Sequence, residues 1–353
     1  MNGQATLPSP SYSTVDGDVS EDRERVLQVW EDGGFHTGRD RNRGRYDWFY
    51  LHNPAGRVQL TLLRSADELE PVGTLAIGPR TLYMDGVEVP AGVFVDFVVH
   101  PEHRSAIPAL KLQQHARRRA RMSMDILYGM PNDQSLKISL LAGHDLTLEV
   151  GEYVRQLRTR SYLERRTPRW VATVLAPALD TLNRLGLRMQ AALPPFDTEW
   201  EEGFNNEFDE LWDSLDRKGR CLGRRDAAFL RWRFADRPGH TYRTFVVRQR
   251  PDGKLLGYFV CSTSRDALVV HDWLAGPQLR LRKALLALGL AGYREGASSV
   301  RLLGRPDPLA ARSLRNAQFL RRGSRTFFAV IADELKEQAA SLHWHITTAD
   351  EDV

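Results

Sequence analysis

Two stretches of this chain, each of roughly 130 to 150 residues, run through the same order of segments. Each begins with an aromatic-rich segment, DWFYLHNPAG in the first and AFLRWRFADRPG in the second. Two strand-like runs follow: VQLTLLRS and VGTLAIGP in the first, YRTFVVRQ and LLGYFVCSTS in the second. A stronger strand (GVFVDFVV; ALVVHDWLA) then leads into an amphipathic helix, a strand, a helix and a last strand. Repetition of pattern without identity implies two copies of one α/β unit. Asp85-Gly86 marks the turn of a hairpin within TLYMDGVEV. Pro101 ends the strong strand, because proline cannot donate to a sheet ladder.

The expected organisation has four parts. Residues 1–25 read as a polar, disordered tail, 26–158 as the first domain, 159–195 as a basic helical linker bounded by prolines, and 196–353 as the second domain. The hydrophobic fraction of 42% is ordinary for a chain that buries real cores. No apolar run approaches the ~20 residues of a membrane-spanning helix, and the N-terminus has no apolar signal region. The two cysteines, Cys221 and Cys261, match no metal or disulfide framework and fit a reducing, cytoplasmic setting. His100 with His103, and His343 with His345, lack a third ligand at zinc spacing, so no metal is expected. The net charge of +4 suits a polyanionic small ligand or weak attraction to an acidic membrane through the linker helix around Trp170 to Met189. No helix-turn-helix, zinc or RNP-type signature points to nucleic acid.

The strand GVFVDFVV runs into VHPEHRSAIPALKLQ, where a helix starts. The first amides of a helix have no internal partner and sit at the positive end of its dipole, so such a turn can hold a pyrophosphate. At Val99, Pro101, Arg104, Ile107 and Ala109 the chain resembles the GNAT superfamily of N-acetyltransferases, whose signature is V-x-P-x-x-[RQ]-x-x-G-x-[GA] between a strand and a helix. The family's next motif, N-x-x-A-x-x-[LI]-Y-x-x-x-G-[FY], is matched by Asn132, Ser135, Ile138, Gly143 and His144. Two positions depart from the pattern. Ile107, followed by Pro108, takes the place of the first glycine, and Ser139 takes the place of the tyrosine that protonates the leaving CoA thiolate. The likeness is to a bacterial tandem-GNAT type, and covers residues ~26–155 well and ~197–335 by pattern alone.

The resemblance implies an α/β (α+β) fold: two GNAT-like domains in tandem, each a mixed, mostly antiparallel, twisted sheet flanked by helices. It implies an acyl-CoA donor, acetyl-CoA in the first instance, bound by Phe97, Val98, Val99, Arg104, Ser105, Ala106, Ile107, Ala109 and Asn132. Asp96, His100 and Ser139 are the candidate catalytic residues, and Trp48, Tyr50 and Asn53 the candidate acceptor side. Each has a structural alternative: Asp96 as the partner of an arginine, Arg104 as a loop-ordering cation, Asn132 as a helix cap, the aromatics as core. The second half lacks the R-x-x-G-x-G loop and places Leu314 at the tyrosine position, so it is expected to have lost CoA binding and to serve as scaffold and substrate wall. The implied activity is N-acyl transfer to a small-molecule or sugar amine. The alternatives are a non-catalytic GNAT-fold scaffold and an aminoacyl-tRNA-dependent transferase.

Overall fold

The computed structural model describes residues 11–35, 38–159, 168–191 and 196–351. The first half contains β1 (Tyr12–Gly17), α1 (Arg23–Asp32), α2 (Arg39–Tyr46), a π-helical turn (Asp47–Leu51), β2 (Gln59–Ser65), β3 (Gly73–Met84), β4 (Val87–Val99), α3 (Ala106–Ala120), β5 (Ile126–Gly129), α4 (Asp133–Leu141) and β6 (Leu146–Gln156). Helix α5 (Arg169–Ala191) joins it to the second half. That half repeats the order: β7 (Phe196–Glu201), α6 (Asn206–Asp213), β8 (Arg220–Gly223), α7 (Ala227–Leu230), a second π-helical turn (Arg231–Ala235), β9 (Arg243–Gln249), β10 (Leu255–Ser264), β11 (Ala267–Ala275), α8 (Leu281–Arg294), β12 (Ser299–Gly304), α9 (Pro308–Asn316) and β13 (Leu320–Ile331). A short strand β14 (His343–His345) lies beside β8 near the end of the chain.

All these strands belong to one sheet, whose main path runs β1-β2-β3-β4-β5-β13-β6-β12-β11-β10-β9-β7. The order is palindromic. Each strand of the first half has its counterpart at the mirrored place, and the pseudo-twofold axis passes between β13 and β6. The closing strands are exchanged. β5 pairs with β13 of the second half, and β12 pairs with β6 of the first. Each half therefore completes the other's ladder, and neither sheet closes without its partner.

The expected tail is partly ordered. Tyr12–Gly17 adds an edge strand antiparallel to β2, from Tyr12 opposite Ser65 to Gly17 opposite Leu60. Its polar composition hides this, because side chains of α3 hold it: Thr14 Oγ1 lies 3.0 Å from His115 Nδ1, and Lys111 Nζ donates to the Tyr12 carbonyl at 2.9 Å. Residues 1–10 of that tail, and residues 160–167 and 192–195 of the linker, lie outside the described residues. At the hairpin, Asp85 and Gly86 both have positive φ, 52° and 87°, as the turn sequence predicts.

The largest core cluster spans both halves. At its centre the two π-helical turns meet. The rings of Trp48 and Trp232 stack at 5.0 Å, and each indole N–H donates to the other's backbone carbonyl, at 2.6 and 3.1 Å. The two aromatic-rich segments that mark the repeat in the sequence are thus the seam between its copies.

Candidate active site

β4 and β5 pair in parallel only from Ala91–Val93 to Ile126–Tyr128. β5 ends at Gly129, but β4 continues to Val99, so the sheet opens into a wedge. Within that stretch Thr74 pairs with Val98 and Ala76 with Val95, which leaves Leu75 facing both Asp96 and Phe97. This is a β-bulge, and Asp96 has φ 49° there. A bulge breaks the ladder's regular spacing and re-aims backbone groups that would otherwise be consumed by the neighbouring strand.

Two cavities fill the wedge. The outer one, of about 650 Å³, lies against Phe97, Val99, Arg104, Ser105, Ala109 and Asn132, with the Gly33–Phe35 end of α1 as a wall. The inner one, of about 280 Å³, reaches Asp96, Gln113, Ser139, Arg325 and Phe328. Phe35, Phe97, Asn132 and Ser135 line both, so they form one channel from the start of α3 into the sheet.

The turn before α3 is largely self-bonded. The amides of His103, Arg104 and Ser105 donate to the carbonyls of His100, Pro101 and His103, and Pro108 has no N–H. Ala106 and Ile107, in the first turn of the helix, keep amides with no partner among the described residues. Arg104 Nε donates to the Val99 carbonyl at 2.9 Å, and its Nη2 donates to the Gly33 carbonyl. It lies at the cavity wall, and its bonds are those of a loop-ordering cation. Asn132 caps α4, with its side chain accepting from the Ser135 amide at 2.9 Å.

Asp96 is buried at the bulge, 3% exposed. Its Oδ1 accepts from Arg45 Nη2 at 2.8 Å, and its Oδ2 from the Tyr50 hydroxyl at 3.1 Å. Burial, reinforced by the Asp96 carboxylate, holds the Tyr50 phenol well above its ordinary value, so it remains a donor. Tyr50 therefore supports Asp96 from behind. Ser139 donates to the Ser135 carbonyl at 3.0 Å and accepts from Gln113 Nε2 at 3.2 Å. Its proton is committed to α4, which argues against the expected role toward a leaving group. His100 is not among the residues lining the channel. Its Nδ1 lies 3.4 Å from the Glu102 amide and its ring faces His103. Trp48 belongs to the seam, and Asn53 shapes a turn, accepting from the Ala55 amide at 3.0 Å and donating to the Pro79 carbonyl. The acceptor wall expected from Trp48, Tyr50 and Asn53 does not form. Local spacing put them on one segment, but Trp48 turns to the other half, Tyr50 to Asp96 and Asn53 to the Pro79 carbonyl.

The second half contains the corresponding wedge between β11 and β12, which pair only from Ala267–Val270 to Ser299–Leu302. Here the chain itself enters it. Thr347 bridges to Gly304 at the end of β12, and Thr348 Oγ1 donates to the His271 carbonyl of β11 at 2.5 Å. Asp272 repeats the first half's arrangement. It accepts from the Tyr258 hydroxyl at 2.9 Å, from Arg225 Nε at 3.2 Å and from Thr347 Oγ1 at 2.6 Å. Burial lowers the Arg225 guanidinium, but Asp272 and Asp350 outweigh it and keep the cation charged. Among the described residues, no group of His, Cys, Asp and Glu is placed to hold a metal ion.

Solved structures share this architecture. A GCN5-related N-acetyltransferase from Anabaena variabilis ATCC 29413 superposes with a TM-score of 0.64 at 16% identity, over 92% of this chain and 74% of that one. A tandem GNAT protein from the clavulanic acid biosynthesis pathway superposes at 0.53 and 14% identity, over 91% and 98%. This chain has the tandem GNAT fold. The N-myristoyltransferase of Saccharomyces cerevisiae, solved with myristoyl-CoA, also superposes, at 0.52 and 14% identity over 93% and 80%. No family model matches the sequence, and no curated protein matches it.

Of the residues singled out in the sequence, Phe97, Val99, Arg104, Ser105, Ala109 and Asn132 line the outer cavity, and Asp96 and Ser139 line the inner one. Gln113 and Ser135 lie inside or beside the quoted motifs and could have been read from helix periodicity. Arg325 and Phe328 could not. They reach the first wedge only because β13 crosses into the first half's sheet. Arg325 is held there by Glu351 and by the Met130 carbonyl.

Proposed function

We propose that this protein transfers an acyl group, acetyl in the first instance, from a CoA thioester to the amine of an amino sugar or small amine, and that the donor occupies the wedge of the first half alone. One observation carries the proposal: of two equivalent wedges, the first holds an open channel and the second holds residues 346–351 of the chain itself.

In this reading the Ala106 and Ile107 amides meet the pyrophosphate at the start of α3. The pantetheine arm runs along β4 beyond Val93, where the strand no longer pairs with β5. Backbone donors of the Phe97–Val99 stretch polarise the thioester carbonyl. The neutral amine attacks that carbon, the C–N bond forms, the C–S bond breaks, and the amine's surplus proton passes to water. The thiolate leaves without a tyrosine and is protonated by solvent. The main contribution of the protein is positioning. Asp96, locked by Arg45 and Tyr50, fixes the bulge.

Calorimetric titration with acetyl-CoA tests the donor site, and thiol release across a panel of amino sugars and small amines tests the reaction. Substituting Ala109→Trp, which fills the outer channel, should abolish binding. Acetyl-CoA binding unaffected by that substitution would place the donor elsewhere.

A further inference from the structure

We propose that α5 docks this protein on the surface of an anionic lipid bilayer. Such docking is independent of acyl transfer. It rests on a helix whose polarity is inverted relative to an ordinary surface helix.

α5 is attached to the body by its polar side. Asp180 Oδ1 accepts from the amide and hydroxyl of Thr159, at 2.6 and 2.8 Å, and Asn183 Nδ2 donates to the carbonyls of Gln156 and Leu157. Ala176 and Leu187 are buried on the same side, with Leu187 lying against Gly289 of α8. The opposite side is apolar and open. Trp170 is 72% exposed, Val174 68%, Leu175 47%, Leu182 65%, Leu185 52% and Met189 70%. At about 100° per residue, five of these six fall within about a third of the helix circumference. The buried or bonded residues fall on the reverse. A contiguous stripe of this kind marks an interaction surface, because water gains nothing from meeting it.

Charge selects the occupant. Residues 158–191 contain seven arginines against Glu164 and Asp180, a net of +5, whereas the whole chain nets +4. The remainder of the sequence is thus slightly negative, and the basic excess is concentrated in the segment that contains α5. A second copy of the chain docking by the same face would bring another +5 against the first. An anionic headgroup layer is complementary to both features, with the stripe entering the acyl boundary and the arginines meeting phosphates. Trp170, at the start of the helix, has the amphipathic ring favoured at that boundary. Among the described residues no helix is long and apolar enough to cross a membrane, so α5 lies in the interface.

The test is co-sedimentation of the full chain with vesicles of phosphatidylcholine and phosphatidylglycerol in equal parts, against phosphatidylcholine alone. The wild-type chain should pellet with the mixed vesicles and be released by salt. Leu182→Glu combined with Leu185→Glu should weaken binding by about tenfold or more. Both positions are exposed, so the fold is retained, and circular dichroism checks it. Arg184→Glu, outside the stripe, should reduce binding to mixed vesicles with no change in fold. Equal pelleting of the double variant and the wild type would overturn the proposal, as would failure of the wild type to bind mixed vesicles. A wild-type dimer in size exclusion that the double variant converts to a monomer would also overturn it, by assigning the stripe to a second copy.

Discussion

Acid is expected to loosen the segment that fills the second wedge. Two histidines fasten it. His345 is buried, with Nε2 3.2 Å from the Trp273 carbonyl. His271 lies on β11, with its carbonyl held by Thr348 and its Nε2 2.7 Å from Ser262 Oγ. Burial, then the neighbouring cations Arg225 and Arg220, lower His345 to about 3. Burial, then Arg233, Arg237 and His240, lower His271 to about 4. Both values lie below the ordinary 6.5, so the unfolded chain binds protons that the folded chain refuses. The associated stability is fully present above about pH 6.5 and falls as the pH drops through the window toward 4 and 3. At about pH 4.5 each histidine has withdrawn about 2 to 3 kcal/mol, together about 5 kcal/mol, a large part of a domain's ordinary margin. The assay is urea unfolding at about pH 7.5 and about pH 4.5 for the wild type and for His271→Gln combined with His345→Gln. The variant should lose about 5 kcal/mol less than the wild type over that interval. Equal losses in the two proteins would refute the assignment of the pH dependence to this segment.

Other perturbations separate site from scaffold. Ser139→Ala should leave turnover within about twofold of wild type in an acetyl-CoA thiol-release assay, because the hydroxyl is spent on Ser135 and Gln113. Arg104→Ala should weaken acetyl-CoA binding by about tenfold in calorimetry, since the wall carbonyls of Val99 and Gly33 lose their shared donor. Trp232→Ala should cost about 3–5 kcal/mol in urea unfolding by removing the stacked partner of Trp48 and its hydrogen bond at the seam. Asp96→Asn should lower kcat/KM while the chain stays folded, because the Arg45 pair that shapes the bulge is weakened. Full activity in that variant would show that the bulge does not depend on the ion pair.

The elements of the channel beside β4 were legible because they are local. Val99 to Ala109 encode a strand, a turn and a helix start within eleven residues, and Asn132 caps the helix that follows. The roles of Trp48, Tyr50 and Asn53 were not legible. Their spacing identifies an aromatic segment, but whether a segment lines a cavity or a seam depends on what it meets. His100 failed for a similar reason: its ring turns toward His103, and the motif's sequence does not say which way the loop closes.

By itself, the sequence determined the repeat, the run of strands and helices from β2 to β6 and from β9 to β13, and the Asp85-Gly86 turn. All follow from periodicity and turn chemistry within short windows. Tertiary structure alone decided the exchange of β6 and β13, the arrival of Arg325 in the first wedge, the filling of the second wedge by residues 346–351, and the outward aim of the apolar side of α5. The physical reason is that alternation along a strand fixes which face is buried but not which neighbour it bonds, since every strand edge offers the same amides and carbonyls.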